Sequence, residues 1–140
     1  MTLYVDAAIL VAAITSEPLT TASRAILADS GMVVASTWTM VEATSGLAKK
    51  VRTGDLTEDE LEMALGKLDL LTARYLPLIS LDDGHMGLAA RYTARARLGL
   101  RAGDALHVAV AASLSAMLVT SDVVMARAAE GLGVPVRLLA

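Results

Sequence analysis

The sequence predicts an α/β fold of three layers, with helices on both faces of a central, mainly parallel sheet of four to five strands. Three observations predict it. Short β-prone runs alternate with stretches of helical period along the whole chain. Strands separated by helices pair in parallel through right-handed crossovers. The 140 residues are 55% hydrophobic with no break in composition, so residues 1–140 are expected to form one domain with a substantial core.

The elements follow in order. Thr2 to Val5 is a short β-prone run that stops at Asp6, and the apolar residues after it start a helix. Glu17 and Pro18 open a second helix, Pro18 suiting a first-turn position, with Ala22, Ile26 and Leu27 as its inner face and Gly31 as its end. Met32 to Ser36 reads as a buried strand. Thr37 to about Arg52 is helical, carries Glu42 near its start, and spaces Val41, Ser45 and Ala48 over neighbouring turns. Thr57 and Glu60 form a capping box for a helix running to about Tyr75, after the turn at Gly54 and Asp55. Leu76 to Leu81 is a strand candidate that Pro77 confines to an edge. Asp82 and Asp83 begin a helix through about Arg97, with Leu88, Ala89, Tyr92 and Ala96 facing inward. Near the end, a helix from Val124 to Glu130 is closed by Gly131 and Gly133, and Val134 to Leu139 is a last strand, placed at an edge by Pro135.

Between these lies the stretch from Leu98 to Asp122. From Ala105 the residues Leu106, Val110, Leu114 and Met117 recur at helical spacing, and Asp104 falls in the first turn. A helix from Asp104 to Ser115 travels ~16 Å, and an extended Ala116 to Ser121 returns about the same distance. If the chain reverses near Ala116, Asp122 comes back to the level of Asp104.

Composition removes several classes of function. Without cysteine there is neither a disulfide framework nor a thiolate metal site, and a reducing cytoplasm is the expected compartment. His85 and His107 are the two imidazoles, too few to suggest a zinc site. The apolar run from Leu3 to Ile14 has no Lys or Arg ahead of it and contains Asp6, which argues against a signal peptide. The run from Ala105 to Val119 is too short to span a bilayer, so no membrane partner is expected. A net charge of −3 argues against a uniformly basic surface for nucleic acid, but leaves room for a site where cations reverse the sign locally.

Asp6 and Asp122 each follow a predicted strand, Asp104 opens a helix, and Glu42 follows a strand by about a turn and a half. In parallel α/β sheets, ligands sit outside the carboxyl ends of the strands, so all four acids project toward one rim. Each alone has an ordinary role: Asp104 can complement a helix dipole, Glu42 can complete a capping box begun by Thr39, and Asp6 and Asp122 can be caps or turn residues. Four together repel one another unless cations neutralise them. Hard oxygen donors without thiolates favour Mg2+ or Mn2+, and such ions support hydrolysis of phosphodiesters.

The segment YVDAAILVAA, the helix bearing Glu42, GDALHVAVA and the TSD of Thr120 to Asp122 together resemble the PIN-domain nucleases. At this length they are similar to the VapC-type toxins of toxin–antitoxin pairs. The resemblance implies a PIN-like fold and Asp6, Glu42, Asp104 and Asp122 as the catalytic, metal-binding acids, with Thr120 as a hydroxyl that helps order them. It also implies an Mg2+-dependent endoribonuclease, an RNA substrate, a homodimer, and a cognate antitoxin whose tail covers the site. The chain departs from the family in carrying Ala8 where Ser, Thr or Asn is common two residues after the first Asp.

His107 is expected to be a packed histidine on the inner helix face, with hydrogen bonding to a carboxylate or phosphate as the alternative. Arg91, Arg95, Arg97 and Arg101 either guide RNA phosphates or form a solvated face and neutralise acids. Lys49, Lys50 and Arg52 complement a helix carboxyl end. With one Trp, three Tyr and no Phe, there is little material for stacking successive bases, so RNA shape and backbone contacts would set the target. The competing functions are a PIN-type RNA-processing nuclease without a toxin role and a non-catalytic protein-binding module. A phosphoacceptor receiver domain fits less well, because a single acid ends the first strand and no Lys follows a late one.

Overall fold

The computed structural model describes residues 1–29 and 31–140. They form β1 (Leu3–Val5), α1 (Ala7–Ile14), α2 (Thr20–Leu27), β2 (Val33–Ser36), α3 (Thr37–Arg52), α4 (Glu58–Arg74), β3 (Leu78–Ile79), α5 (Asp83–Thr93), α6 (Ala102–Ser113), β4 (Met117–Thr120), α7 (Val123–Gly131) and β5 (Val136–Leu138). The five strands make one sheet in the order β3-β2-β1-β4-β5, and every pairing is parallel. The helices cover both faces, so the fold is the three-layer α/β/α sandwich that the alternation of elements predicts.

β1 takes the centre because all three of its side chains are apolar enough to be covered on both faces. Alternation along the strand sends Tyr4 into one core with Val34, Leu118 and the inner faces of α5, α6 and α7. Leu3 and Val5 enter the other core, with Val33, Ala35, Val119 and residues of α1 to α4. Each Leu or Ile buried in this way contributes ~1.5–3 kcal/mol relative to exposure. Pro77 and Pro135 precede the two edge strands, where a missing ladder donor costs least.

From β1 the chain builds the sheet outward through β2 to β3, then crosses back to lay β4 against the other side of β1. The order therefore switches direction between β1 and β4, and the crevice beyond their carboxyl ends is where α/β sheets bind ligands. The reversal between α6 and β4 falls at Leu114 to Ala116, with Ser115 at φ 51°.

Several boundaries differ from expectation. α2 starts at Thr20, because residues 17–19 form a turn held by Thr20 Oγ1, which accepts the Glu17 N–H and donates to Ala12 and Thr15 carbonyls. Its buried positions are Ser23 and Ile26, and Ala22 faces solvent. Met32 lies outside β2 and is exposed. α5 stops at Thr93 rather than Arg97, and a single 3-10 turn at Ala96–Leu98 follows, closed by Gly99 at φ 66°; Ala96 is therefore exposed. Gly99 tolerates that left-handed backbone without the Cβ clash another residue would meet. Leu114 is the cap of α6 and is partly exposed. Among the described residues, no helix is long and apolar enough to cross a membrane.

Candidate active site

Asp6 leaves β1 and caps α1, its Oδ1 accepting the Ile9 N–H at 3.1 Å. Its other oxygen accepts the Thr120 hydroxyl at 2.5 Å. Asp122 leaves β4 and caps α7 in the same way, Oδ1 accepting the Met125 N–H at 3.1 Å. The Asp122 N–H donates to Thr120 Oγ1 at 3.0 Å, so one hydroxyl ties together the ends of the two central strands. The two aspartates are thus caps and rim residues at once.

The other two acids arrive on helices. Glu42 lies in the second turn of α3, where Oε1 accepts the His107 Nε2–H at 2.5 Å. Asp104 lies in the first turn of α6, and the Arg101 guanidinium reaches its Oδ2 at 3.3 Å. Trp38 locks the two helices together: its indole N–H donates to the Gly103 carbonyl at 3.0 Å. A Cβ at Gly103 would stand 3.1 Å from Trp38 Cζ2 and 3.7 Å from Glu42 Oε2, so the close approach depends on glycine.

Asp6, Glu42, Asp104 and Asp122 line one pocket of about 110 Å³, together with Ala7, Ala8, His107 and Met125. Ala8 contributes no polar atom to it. Through Ala7, Ala8 and Glu42 the pocket continues along α1 and α3 into a groove of about 480 Å³, where Lys49 and Lys50 stand. Lys49, Lys50 and Arg52 occupy the last turn of α3, and Lys50 also pairs with Glu17 at 3.3 Å.

Crowding of acids in a half-closed site leaves its mark on their protonation. Burial pushes the Asp6 carboxyl above its ordinary value, opposed by the Thr120 hydroxyl, His107 and the Ile9 N–H. Asp104 is also raised, first by burial and then by the negative Asp122, with Arg101 opposing. Both carboxylates are costly to ionise where they stand, and a cation would relieve that cost.

Among the described residues, no three acidic or histidine groups approach closely enough to hold a metal ion. Each acid is instead held by a neighbour: Asp6 by Thr120 and α1, Asp122 by α7, Glu42 by His107 and Asp104 by Arg101. The chemistry of the donor set still fits a hard divalent cation. Four carboxylates face one pocket, and its one imidazole is already engaged.

Some of this arrangement escapes sequence reasoning. The capping box of α3 is Ser36 with Thr39, not Thr39 with Glu42, which frees the Glu42 side chain for the pocket. Ser36 and Thr39 sit at capping-box spacing, so the signal was present three residues upstream. His107 is buried, as a packed histidine should be, and bonds Glu42 as well. Of the four arginines near α6, Arg101 pairs with a pocket acid. The contacts of Trp38 and Tyr4 carry no local sequence signal.

The sequence profile of a family described as PIN domain matches residues 3–131. No curated protein matches the chain in sequence. Among solved structures, the chain is similar to VapBC2 from Rickettsia felis, described as bound to a DNA fragment from its promoter, with a TM-score of 0.70 and 17% identity over 100% of both chains. FitAcB from Neisseria gonorrhoeae gives a TM-score of 0.71 and 19% identity over 96% of this chain and 95% of that one. VapC20 from Mycobacterium tuberculosis, described as a sarcin-ricin loop cleaving toxin, gives 0.67 and 12% identity over 83% and 86%. At these identities the likeness is one of fold.

Proposed function

The chain belongs to the PIN domain family, and from that premise we propose that it is a divalent-metal-dependent endoribonuclease, the toxin of a type II toxin–antitoxin pair. The observation that carries the reading is the pocket beyond β1 and β4, lined by Asp6, Glu42, Asp104 and Asp122. The four acids would hold Mg2+ or Mn2+, hard ions that take oxygen ligands. The chemistry such a cation supplies when bound is activation of water and neutralisation of charge on the phosphodiester under attack.

The chain's own residues do the rest. Thr120 and the amino ends of α1 and α7 fix Asp6 and Asp122, whose negative charge those helix ends also favour. Lys49 and Lys50, in the groove that continues from the pocket, give an RNA strand counter-charges along its backbone. Few aromatic side chains stand by to stack bases, so backbone and shape carry recognition.

A partner fits the same account. The chain's apolar surplus surfaces in a groove of about 440 Å³ lined by Ile14, Leu27, Leu70, Leu71 and Tyr75 with small alanines between them, and edged by Arg24 and Lys67. An amphipathic antitoxin segment would bury its apolar face in such a groove. A homodimer is part of the proposal, since a second copy also covers apolar surface.

Expression of the chain alone is expected to arrest growth of a bacterial host, and Asp104→Asn is expected to relieve the arrest at equal protein level. Co-expression of the product of a small adjacent reading frame should relieve it too. Growth unaffected by the wild-type chain at high expression would contradict the toxin role.

A further inference from the structure

We propose that Tyr4 and His107 are positioning residues for Glu42: Tyr4, fixed by the cap of α3, orients the His107 ring, and the ring aims one carboxylate oxygen so that the other faces the pocket. This rests on the metal-site reading above.

The observation is a continuous chain of buried hydrogen bonds. Tyr4 Oη stands 2.8 Å from Ser36 Oγ and 3.1 Å from Thr39 Oγ1. On its other side it stands 2.8 Å from His107 Nδ1, and His107 Nε2 meets Glu42 Oε1 at 2.5 Å. Tyr4, Ser36, Thr39 and His107 are all at most 1% exposed. No loop takes part, because every member lies on β1, β2, α3 or α6.

The Glu42 carboxylate, which only accepts, sets the direction of these bonds. Thr39 N–H donates to Ser36 Oγ and Ser36 N–H to Thr39 Oγ1, which anchors both hydroxyls at the start of α3. At the other end His107 Nε2 faces that carboxylate and so carries the ring proton. In the neutral ring Nδ1 then accepts from the Tyr4 phenol, whose oxygen faces the two anchored hydroxyls.

A glutamate on a helix has three rotatable bonds, and Glu42 sits at the rim where water competes for it. With Oε1 held, Oε2 is directed to the side where Gly103 leaves room. Outer-shell partners of this kind orient a ligating group before the metal arrives. Tyr4 bonds both the cap of α3 and the ring on α6, so the geometry of each is transmitted to one carboxylate.

The test is calorimetric titration of Mn2+ into the metal-stripped full chain, comparing wild type, Tyr4→Phe, His107→Leu, Glu42→Gln and the double variant His107→Leu/Glu42→Gln. His107→Leu is expected to weaken Mn2+ binding by about 10–100-fold. Tyr4→Phe, which keeps the ring in the core, should lose a smaller part of the same affinity and serves if the leucine variant does not fold. In the Glu42→Gln background, His107→Leu should cost nothing further, because its effect passes through the carboxylate. Equal losses in both backgrounds, or unchanged affinity in Tyr4→Phe and His107→Leu, would overturn this inference alone. A wild-type chain that takes up no Mn2+ would overturn the metal-site reading and this inference with it.

Discussion

Asp104 holds its place in the pocket at a cost to the fold. Its carboxyl is raised by burial and by Asp122, with Arg101 only partly compensating. A group whose folded pKa is raised contributes its full stability below its unfolded value, near ~3.9 for Asp, and loses it as pH rises through the folded value. Without metal, ionising Asp104 therefore destabilises the native state from about pH 4 upward. Asp104→Asn is expected to be at least as stable as wild type in EDTA, with a thermal midpoint advantage that grows from about pH 4 upward and levels off once pH passes the folded value. A midpoint several degrees lower, or an advantage that shrinks with pH, would contradict this. The convergence of Asp6, Asp104 and Asp122 on one pocket was legible because each stands against an apolar run, where a charge is out of place. Glu42 was legible as an acid on the right helix, but its partner was not. His107 is 65 positions away from it, and Tyr4 is 103 positions from His107.

At the scale of elements, what places Glu42 beside Asp104 is the contact of α3 with α6, made by Trp38 over Gly103. Gly103→Ala tests it. Gly103 lies in the first turn of α6, where alanine gains only part of the ~1 kcal/mol it holds over glycine in a helix interior, so the fold should hold with little change in stability. The added Cβ meets Trp38 Cζ2 at 3.1 Å, and the indole must give way by a few tenths of an ångström. Misplacement by ~1 Å can cost ~100-fold in rate, so a smaller shift should lower kcat/KM for RNA cleavage by about tenfold. Unchanged cleavage with an unchanged thermal midpoint would show the contact to be incidental. Element boundaries were legible where the signal is local: Thr57 and Glu60 do cap α4, each accepting the other's backbone N–H. They were lost where a tertiary contact or a turn decided. Gly99 and the 3-10 turn before it end the α5 region early, whereas α3 runs from Thr37 to Arg52 as its sequence indicates and only its capping pair, Ser36 with Thr39, differs.

At the scale of the whole molecule, the site exists because the sheet changes direction between β1 and β4. Each strand delivers an aspartate to the same crevice, and Thr120, 114 positions from Asp6, closes the pair. Alternation of strands and helices made this topology readable, since parallel strands with right-handed crossovers leave few arrangements. The sheet order itself came only with the structure. The most direct measurement of the central claim is cleavage of a mixed RNA pool by the purified, partner-free chain, in Mg2+ or Mn2+, in EDTA, and with Asp104→Asn alongside. Defined cleavage products that require both the cation and Asp104 are expected. Cleavage that persists in EDTA or in the Asn variant, or none from metal-loaded wild type on any RNA in the pool, would contradict that claim.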